Sequence, residues 1–441
     1  VRRTNRSRTV LADPAFRTRA ANPYNARLYD AVRGTGWQVQ EFSYLGMLRG
    51  PAVVHVHWPE LLFLSSHRPV QVAVRIRLFF ALLRLARLRG TRLFWTAHNI
   101  GHHETRSTPS MRRLLRRRWG AEVDGALVLS ADAVTALRVE YPEFAAVPVT
   151  VTPHGHYRGD YDFSPSRENA REALGLDPDR TLVVHVGQIR PYKNVPALVR
   201  AVAGIPGRPA DLLVAGSANA DLRAEIEDAI EDAIGAAGAA VADGAAVADG
   251  AAVADGAAVA DGAAVAAGAE VSAGAEVSAG AEVSAGAEVS GATGTGDAAR
   301  AAGTAGAGSA AGPAGIRFDH GHIPDEKMGA YLRAADLVVL PYTAIQNSGS
   351  AILALSAGRP VVVPDLGGMA ELAVSIGSEW VHTYRGDFDS AALAAALEWW
   401  RDTPRAGAPD LDHLDWPAIA ATTVAAYQDA VGGPRVRRRP S

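Results

Sequence analysis

The chain has 441 residues, of which 48% are hydrophobic and 21% charged, with a formal net charge of −3. That balance fits a soluble globular protein long enough for two domains, each burying its own core. There is no cysteine, which excludes disulfides, thiolate catalysis and thiolate metal sites, and no apolar run reaches the ~18 residues of a membrane-spanning helix.

The sign of the charge is uneven. Residues 1–165 hold 24 Arg against 12 acidic side chains, so the first half is basic and the remainder acidic, which points to an anionic partner for the first half. The opening residues are Arg-rich but lack the apolar core of a secretory signal, so the expected compartment is the cytosol. Both Arg-rich ends read as tails.

In chain order, helices are expected over 24–34, 70–89, 109–119 and 130–140, and strands at 52–58 (AVVHVHW), 92–99 (RLFWTAHN), 125–130 (GALVLS) and 147–155 (VPVTVTPHG). Histidines gather at the strand ends: His55 and His57, then His98, His102 and His103, then His154 and His156. A His-x-His pair with Glu60 nearby has zinc-ligand spacing, and strand-end polar residues serve as often to cap loops. His103 and Glu104 form a candidate acid/base or acceptor-binding pair. The segment 70–89 is apolar and interleaved with Arg75, Arg77, Arg84, Arg87 and Arg89. Such a helix either lies on an anionic bilayer surface or packs inside with a solvated Arg face. No nucleic-acid-binding signature accompanies the charge.

The second half alternates more cleanly. Strands at 182–187, 211–216, 316–321, 336–341 and 360–365 are near-continuous apolar runs separated by helical segments, the pattern of a parallel sheet covered on both faces. At 183–193 (VVHVGQIRPYK) a strand meets a Gly turn and then cations, and at 341–365 a Gly/Ser turn opens an Ala/Leu-rich helix. Strand, small-residue turn, helix is how an α/β domain offers free backbone N–H groups to phosphate. Two such turns in one domain suggest a nucleotide-diphosphate site. Between 235 and 315 the composition is dominated by Ala and Gly, with Val, Asp, Glu, Ser and a few Thr, and a six-residue period runs from Ala239 to about Gly291. One Val per hexad cannot offset ordering entropy, so this stretch reads as a low-complexity, disordered insertion in a loop; a parallel β-helix is the alternative.

These residues resemble the two-domain GT-B glycosyltransferases of the family-4 type, over roughly 22–235 and 316–430. Gly187 and Lys193 hold the spacing of that family's diphosphate loop, with Gln188 where its arginine usually stands and Arg190 as the substitute. The turn Gly321-His322-Ile323-Pro324 resembles the element that meets the nucleobase. Gly367-Gly368-Met369-Ala370-Glu371 resembles the closing Gly-Gly-x-x-Glu, and Trp95-Thr96-Ala97-His98-Asn99 the strand end with a His near the transfer centre. One departure stands out: the family's two glutamates, eight positions apart, align with Ile345 and Leu353.

The resemblance implies two Rossmann-like doubly wound domains facing a cleft: an acceptor-side domain over 1–165, a nucleotide-sugar domain over 166–410, and a return helix with a basic tail over 411–441. Donor contacts are then expected from Gly187, Arg190, Lys193, Gly321, Ile323, Asn347, Ser348, Gly349, Ser350 and Glu371. Catalytic contacts are expected from His98, His103 and Glu104, and acceptor-side contacts from His57, Glu60 and His154. The implied enzyme is a retaining, metal-independent glycosyltransferase whose nucleotide sugar is a co-substrate and whose acceptor is lipid-linked or a saccharide. It would be cytoplasmic, peripheral on the inner membrane face, with no nucleic-acid partner and no further cofactor. A sugar-nucleotide epimerase or hydrolase, or a non-catalytic partner subunit, are the competing readings.

Overall fold

The computed structural model describes residues 8–20, 22–64, 68–98, 100, 109–250 and 315–434. Among them the strands form two six-stranded parallel sheets. The first contains β1 (Thr9–Asp13), β2 (Gln38–Glu41), β3 (Val53–Val56), β4 (Arg92–Ala97), β5 (Gly125–Val128) and β6 (Val149–Val151), in the order β2-β1-β3-β4-β5-β6. Its connections are α1 (Tyr24–Gly34), α2 (Tyr44–Leu48), α3 (Pro59–Leu64), α4 (Pro69–Arg87), α5 (Pro109–Glu122) and α6 (Ala131–Glu140).

β3 and β5 are buried at every position, as strands covered by helices on both faces must be. Alternation sorts their side chains into two layers. Val10, Val53, Phe94 and Leu127 face α1, while Leu11, Val54, Val56 and Trp95 face the layer that includes Phe79 and Leu83 of α4 and Trp119 of α5. Each large apolar side chain fully buried this way contributes roughly 1.5–3 kcal/mol.

The second sheet contains β7 (Thr181–Val186), β8 (Ala210–Gly216), β9 (Ile316–His320), β10 (Leu337–Val339), β11 (Val361–Pro364) and β12 (Val381–Tyr384). Its helices are α7 (Arg167–Leu174), α8 (Val195–Ala203), α9 (Ala220–Gly250), α10 (Asp325–Ala334), α11 (Gly349–Ser356), α12 (Met369–Ile376) and α13 (Ser390–Asp402). The order β12-β11-β10-β7-β8-β9 is the mononucleotide-binding arrangement in which strand order reverses between the first and fourth strands. A last helix, α14 (Trp416–Gly432), crosses back to the first sheet. Its Trp416, Ile419, Ala420, Val424 and Tyr427 share one face by helical spacing, and all join the α1 layer.

Two expectations need correction. The stretch from 235 is not structureless at its start: α9 runs on without a break through Gly250, because Ala-rich hexads favour helix once a preceding amphipathic segment has nucleated it. The remainder of the hexads, 251–314, lies outside the described residues. Second, Arg87 does not belong to an exposed Arg face. Its guanidinium is buried at 7% exposure, bonded to Glu122 and, at 3.0 Å, to Asp124.

Candidate active site

In open α/β sheets ligands bind beyond the carboxyl ends of the strands, where the strand order reverses. In the second sheet that point lies between β7 and β10. Gly187 leaves β7 with φ +117°, a conformation that favours glycine. Its neighbour Gly216, ending β8, has no room for a Cβ, which would collide with the Gly187 carbonyl oxygen. The chain then turns through a 3-10 segment, Pro191–Lys193. This turn is tied to the loop after β10 by Thr343 N–H donating to the Tyr192 carbonyl at 2.8 Å. Lys193 is buried at 3% exposure, its Nζ 5.5 Å from the centre of the Tyr342 ring. It lies close enough to His185 that the lysine charge, after burial, lowers the His185 pKa to about 3. Arg190 is half-buried on the same turn.

The start of α11 faces the same end of the sheet. Ser348 is its N-cap, accepting from Ala351 N–H at 3.0 Å, and Asn347 precedes it with a buried side-chain amide nitrogen that has no partner. Gly349 and Ser350 are the first helical residues, where backbone N–H groups are left over for an anion. Gly321 follows β9 with φ +135° and donates to the Gly216 carbonyl at 3.1 Å, and Ile323 packs on the sheet's core. These residues converge on one edge of the second sheet. Glu371 is engaged elsewhere: it opens α12, and its carboxylate accepts the Ala131 N–H at the start of α6, 2.8 Å away in the first half. Beside it Gln346 donates to Asp132 at 3.0 Å.

In the first sheet the order reverses between β1 and β3, and that is where the histidines meet. Tyr24, the first residue of α1, is the centre of a ring cluster with His98 at 5.0 Å, His154 at 4.8 Å, His57 at 6.3 Å and Trp416 at 5.4 Å. His98 also stacks on Trp58 at 4.5 Å. His57 is buried and contacts His98 Nε2 through Nδ1 at 2.9 Å. Burial, then the neighbouring His55 and His98, hold the His57 pKa well below the usual imidazole range. Glu60 opens α3 and acts, behind burial, on the Tyr141 phenol, whose pKa is raised. His103 and Glu104 lie outside the described residues. Among the described residues no three His, Cys, Asp or Glu side chains are grouped to hold a metal ion.

Several site residues escaped the sequence reading. Tyr24, Tyr29, Trp58 and Tyr427 carry no local motif, and only the fold brings them to the histidines. Asp13 ends β1 at the reversal point, its carboxyl pKa raised by burial against the opposing effect of Arg17. An apolar run ending in Asp before Pro was the available signal.

Two doubly wound sheets, one with a cationic turn at its strand ends and the other with a polar ring cluster, make a GT-B-like fold. Comparison with known proteins agrees. The family described as Glycosyl transferases group 1 matches residues 294–401. The chain is 27% identical over 432 residues, 96% of its length and 93% of the relative's, to the GDP-mannose:glycolipid 4-beta-D-mannosyltransferase of Xanthomonas campestris pv. campestris. It is 33% identical over 148 residues, 30% of its length, to the D-inositol 3-phosphate glycosyltransferase of Rhodococcus erythropolis. Among solved structures it is similar to sucrose-phosphate synthase of Thermosynechococcus elongatus, with a TM-score of 0.58 at 16% identity, covering 96% of this chain and 99% of that one. It is also similar to Anabaena HepE in complex with UDP and glucose, with a TM-score of 0.52 at 12% identity, covering 96% and 95%. The chain is a nucleotide-sugar glycosyltransferase, similar over part of its second half to the group 1 family.

Proposed function

We propose that this enzyme transfers mannose from GDP-mannose to a glycolipid acceptor held at an anionic membrane surface. The observation that carries the reading is the similarity to the Xanthomonas mannosyltransferase, which runs through both sheets over 96% of the chain. Lys193 and Arg190 supply positive charge where the leaving diphosphate gains negative charge as the glycosidic bond breaks. Ser348, Gly349 and Ser350 add backbone N–H groups at the start of α11. Gly321 and Ile323 follow β9, two strands along from β7, and on this reading meet the nucleobase. Across the cleft His98 meets the transferring sugar, with His57 behind it and His154 on the acceptor side. Metal is not required for this division of labour, since fixed cations meet the same need.

The membrane part rests on α4. Val70, Val74, Leu78, Leu85 and Leu88 are exposed, Leu88 at 84%, and their spacings of four, four, seven and three residues put them along one side of the helix and its end. Leu45 and Leu48, on the short helix packed beside it, are exposed too. Arg75, Arg77, Arg84 and Arg89 border this stripe and are exposed. An apolar stripe with an arginine fringe matches an anionic bilayer in both chemistry and charge. No helix among the described residues is long and apolar enough to cross a membrane.

The test is turnover by the purified protein with GDP-mannose, UDP-glucose and ADP-glucose, each with a polyprenyl-linked saccharide acceptor. Mannosyl product from GDP-mannose alone is expected; activity confined to UDP-glucose overturns the donor. The anomeric configuration of the product, read by NMR, decides between the retention implied by the family-4 resemblance and the β linkage in the relative's name.

A further inference from the structure

His55 and His57 both point from β3 into the interior, two residues apart and therefore on one face of the strand, and neither is exposed to solvent beyond 1%. Five short contacts join them to their surroundings. Tyr427 OH lies 2.5 Å from His55 Nδ1, and Tyr29 OH 2.6 Å from His57 Nε2 and 2.9 Å from His55 Nδ1. His55 Nε2 lies 2.8 Å from Thr96 Oγ1, and His57 Nδ1 lies 2.9 Å from His98 Nε2. Burial lowers the pKa of both rings and raises those of Tyr29 and Tyr427. Each ring therefore holds one N–H and each phenol one O–H, and the protons can be placed.

A phenol is the stronger donor, and each donates along its shorter contact: Tyr427 to His55 Nδ1, Tyr29 to His57 Nε2. His55 then carries its proton on Nε2 and gives it to Thr96. His57 carries its proton on Nδ1 and gives it to His98 Nε2. His98, accepting at Nε2, must hold its own proton on Nδ1, at the opposite edge of the ring. We infer that Tyr29 and His57 are positioning residues that fix His98 as its Nδ1–H tautomer, so that the ring meets the sugar as a hydrogen-bond donor and not as a base. The inference rests on the reading of His98 as a sugar contact. It also explains why a largely apolar core keeps four buried polar rings, those of His55, His57, Tyr29 and Tyr427: a fully satisfied buried network orders its members where an apolar one would not.

The test is a long-range 1H–15N correlation on the whole protein labelled with 15N-histidine, the His98 signals being identified by their loss in His98→Gln. In the parent, His98 should show a protonated Nδ1 and an unprotonated Nε2. Tyr29→Phe removes the donor to His57, and the His98 signals should move toward Nε2 protonation, with kcat falling about tenfold, the loss of one hydrogen bond of ~1.4 kcal/mol, and KM for the donor changing less. A parent His98 protonated on Nε2, or a tautomer unchanged in Tyr29→Phe, overturns the inference. If Tyr29→Phe fails to fold, the parent spectrum decides alone. Full activity in His98→Gln sinks the sugar contact and leaves the tautomer measurement standing on its own.

Discussion

Lys193 is a lysine with almost no exposed surface beside His185, whose pKa is lowered by burial first and by the lysine charge second, an arrangement suited to an arriving anion. Lys193→Ala should raise the donor dissociation constant by roughly ten- to a hundredfold, the equivalent of 1.5–3 kcal/mol for a charge-assisted contact. Isothermal titration with GDP-mannose reads this, and a circular dichroism melt within a few degrees of the parent shows that the fold survives. Unchanged affinity would move the diphosphate elsewhere. Buried histidines also set how the fold responds to acid. His55 and His185 are held at about 3, and His57 is lowered as well, all chiefly by burial. In the unfolded chain the same rings protonate near pH 6.5. The unfolded state therefore binds more protons between these values. Their contribution is fully present above pH 7 and falls as the solution is acidified, by up to about 1.4 kcal/mol per pH unit for each ring. Denaturant midpoints at pH 7 and pH 5 should show this slope, and His185→Leu should flatten it; an equal slope in the variant rejects the assignment.

Among the elements, α4 carries the clearest prediction. Val74→Ser with Leu78→Ser, both on the exposed stripe, should abolish co-sedimentation with anionic vesicles while leaving turnover on a detergent-dispersed acceptor intact. Parent binding should weaken with salt, as screening contracts to about 3 Å at 1 M. Parent protein that ignores anionic vesicles at low salt removes the membrane from the picture. Deleting residues 251–291 should change stability by less than about 1 kcal/mol, since closure entropy varies only with the logarithm of loop length, and should leave turnover unchanged. A melt lowered by more than 10 °C would show the hexads to be part of the fold. What the sequence disclosed at this scale follows from physics. In the second sheet β8, β10 and β11 are almost wholly apolar and buried, and were readable as such. β1 is five residues beside an Arg-rich flank and β2 is the edge strand Gln-Val-Gln-Glu, so neither has a run long or alternating enough to register. α4 was readable as basic and apolar, but that Arg87 turns inward depends on Glu122 and Asp124, 35 and 37 residues away.

At the scale of the whole molecule, the two halves of the site differ in legibility for the same reason. The diphosphate turn is local, built from residues 187–193 and the start of α11, and its spacing can be read along the chain. The ring cluster is not, because Tyr24, His57, His98, His154 and Tyr427 come from five separate elements. Period-two alternation places His55 and His57 on one face, yet nothing near them in sequence announces Tyr427, 372 residues from His55. That distance has a consequence for how the protein is made. The first sheet's α1 layer is closed by α14, which the ribosome delivers only after the entire second sheet. Until then the α1 layer lacks Trp416, Ile419, Val424 and Tyr427, and the second half can finish folding before the half that was synthesised first. A chain cut off after Asp415, which keeps Leu411 and Leu414 in the core of the second half but lacks α14, should therefore yield, on limited proteolysis, a resistant fragment from the second half and a digested first half. Protection of the first half should appear only in chains that carry α14.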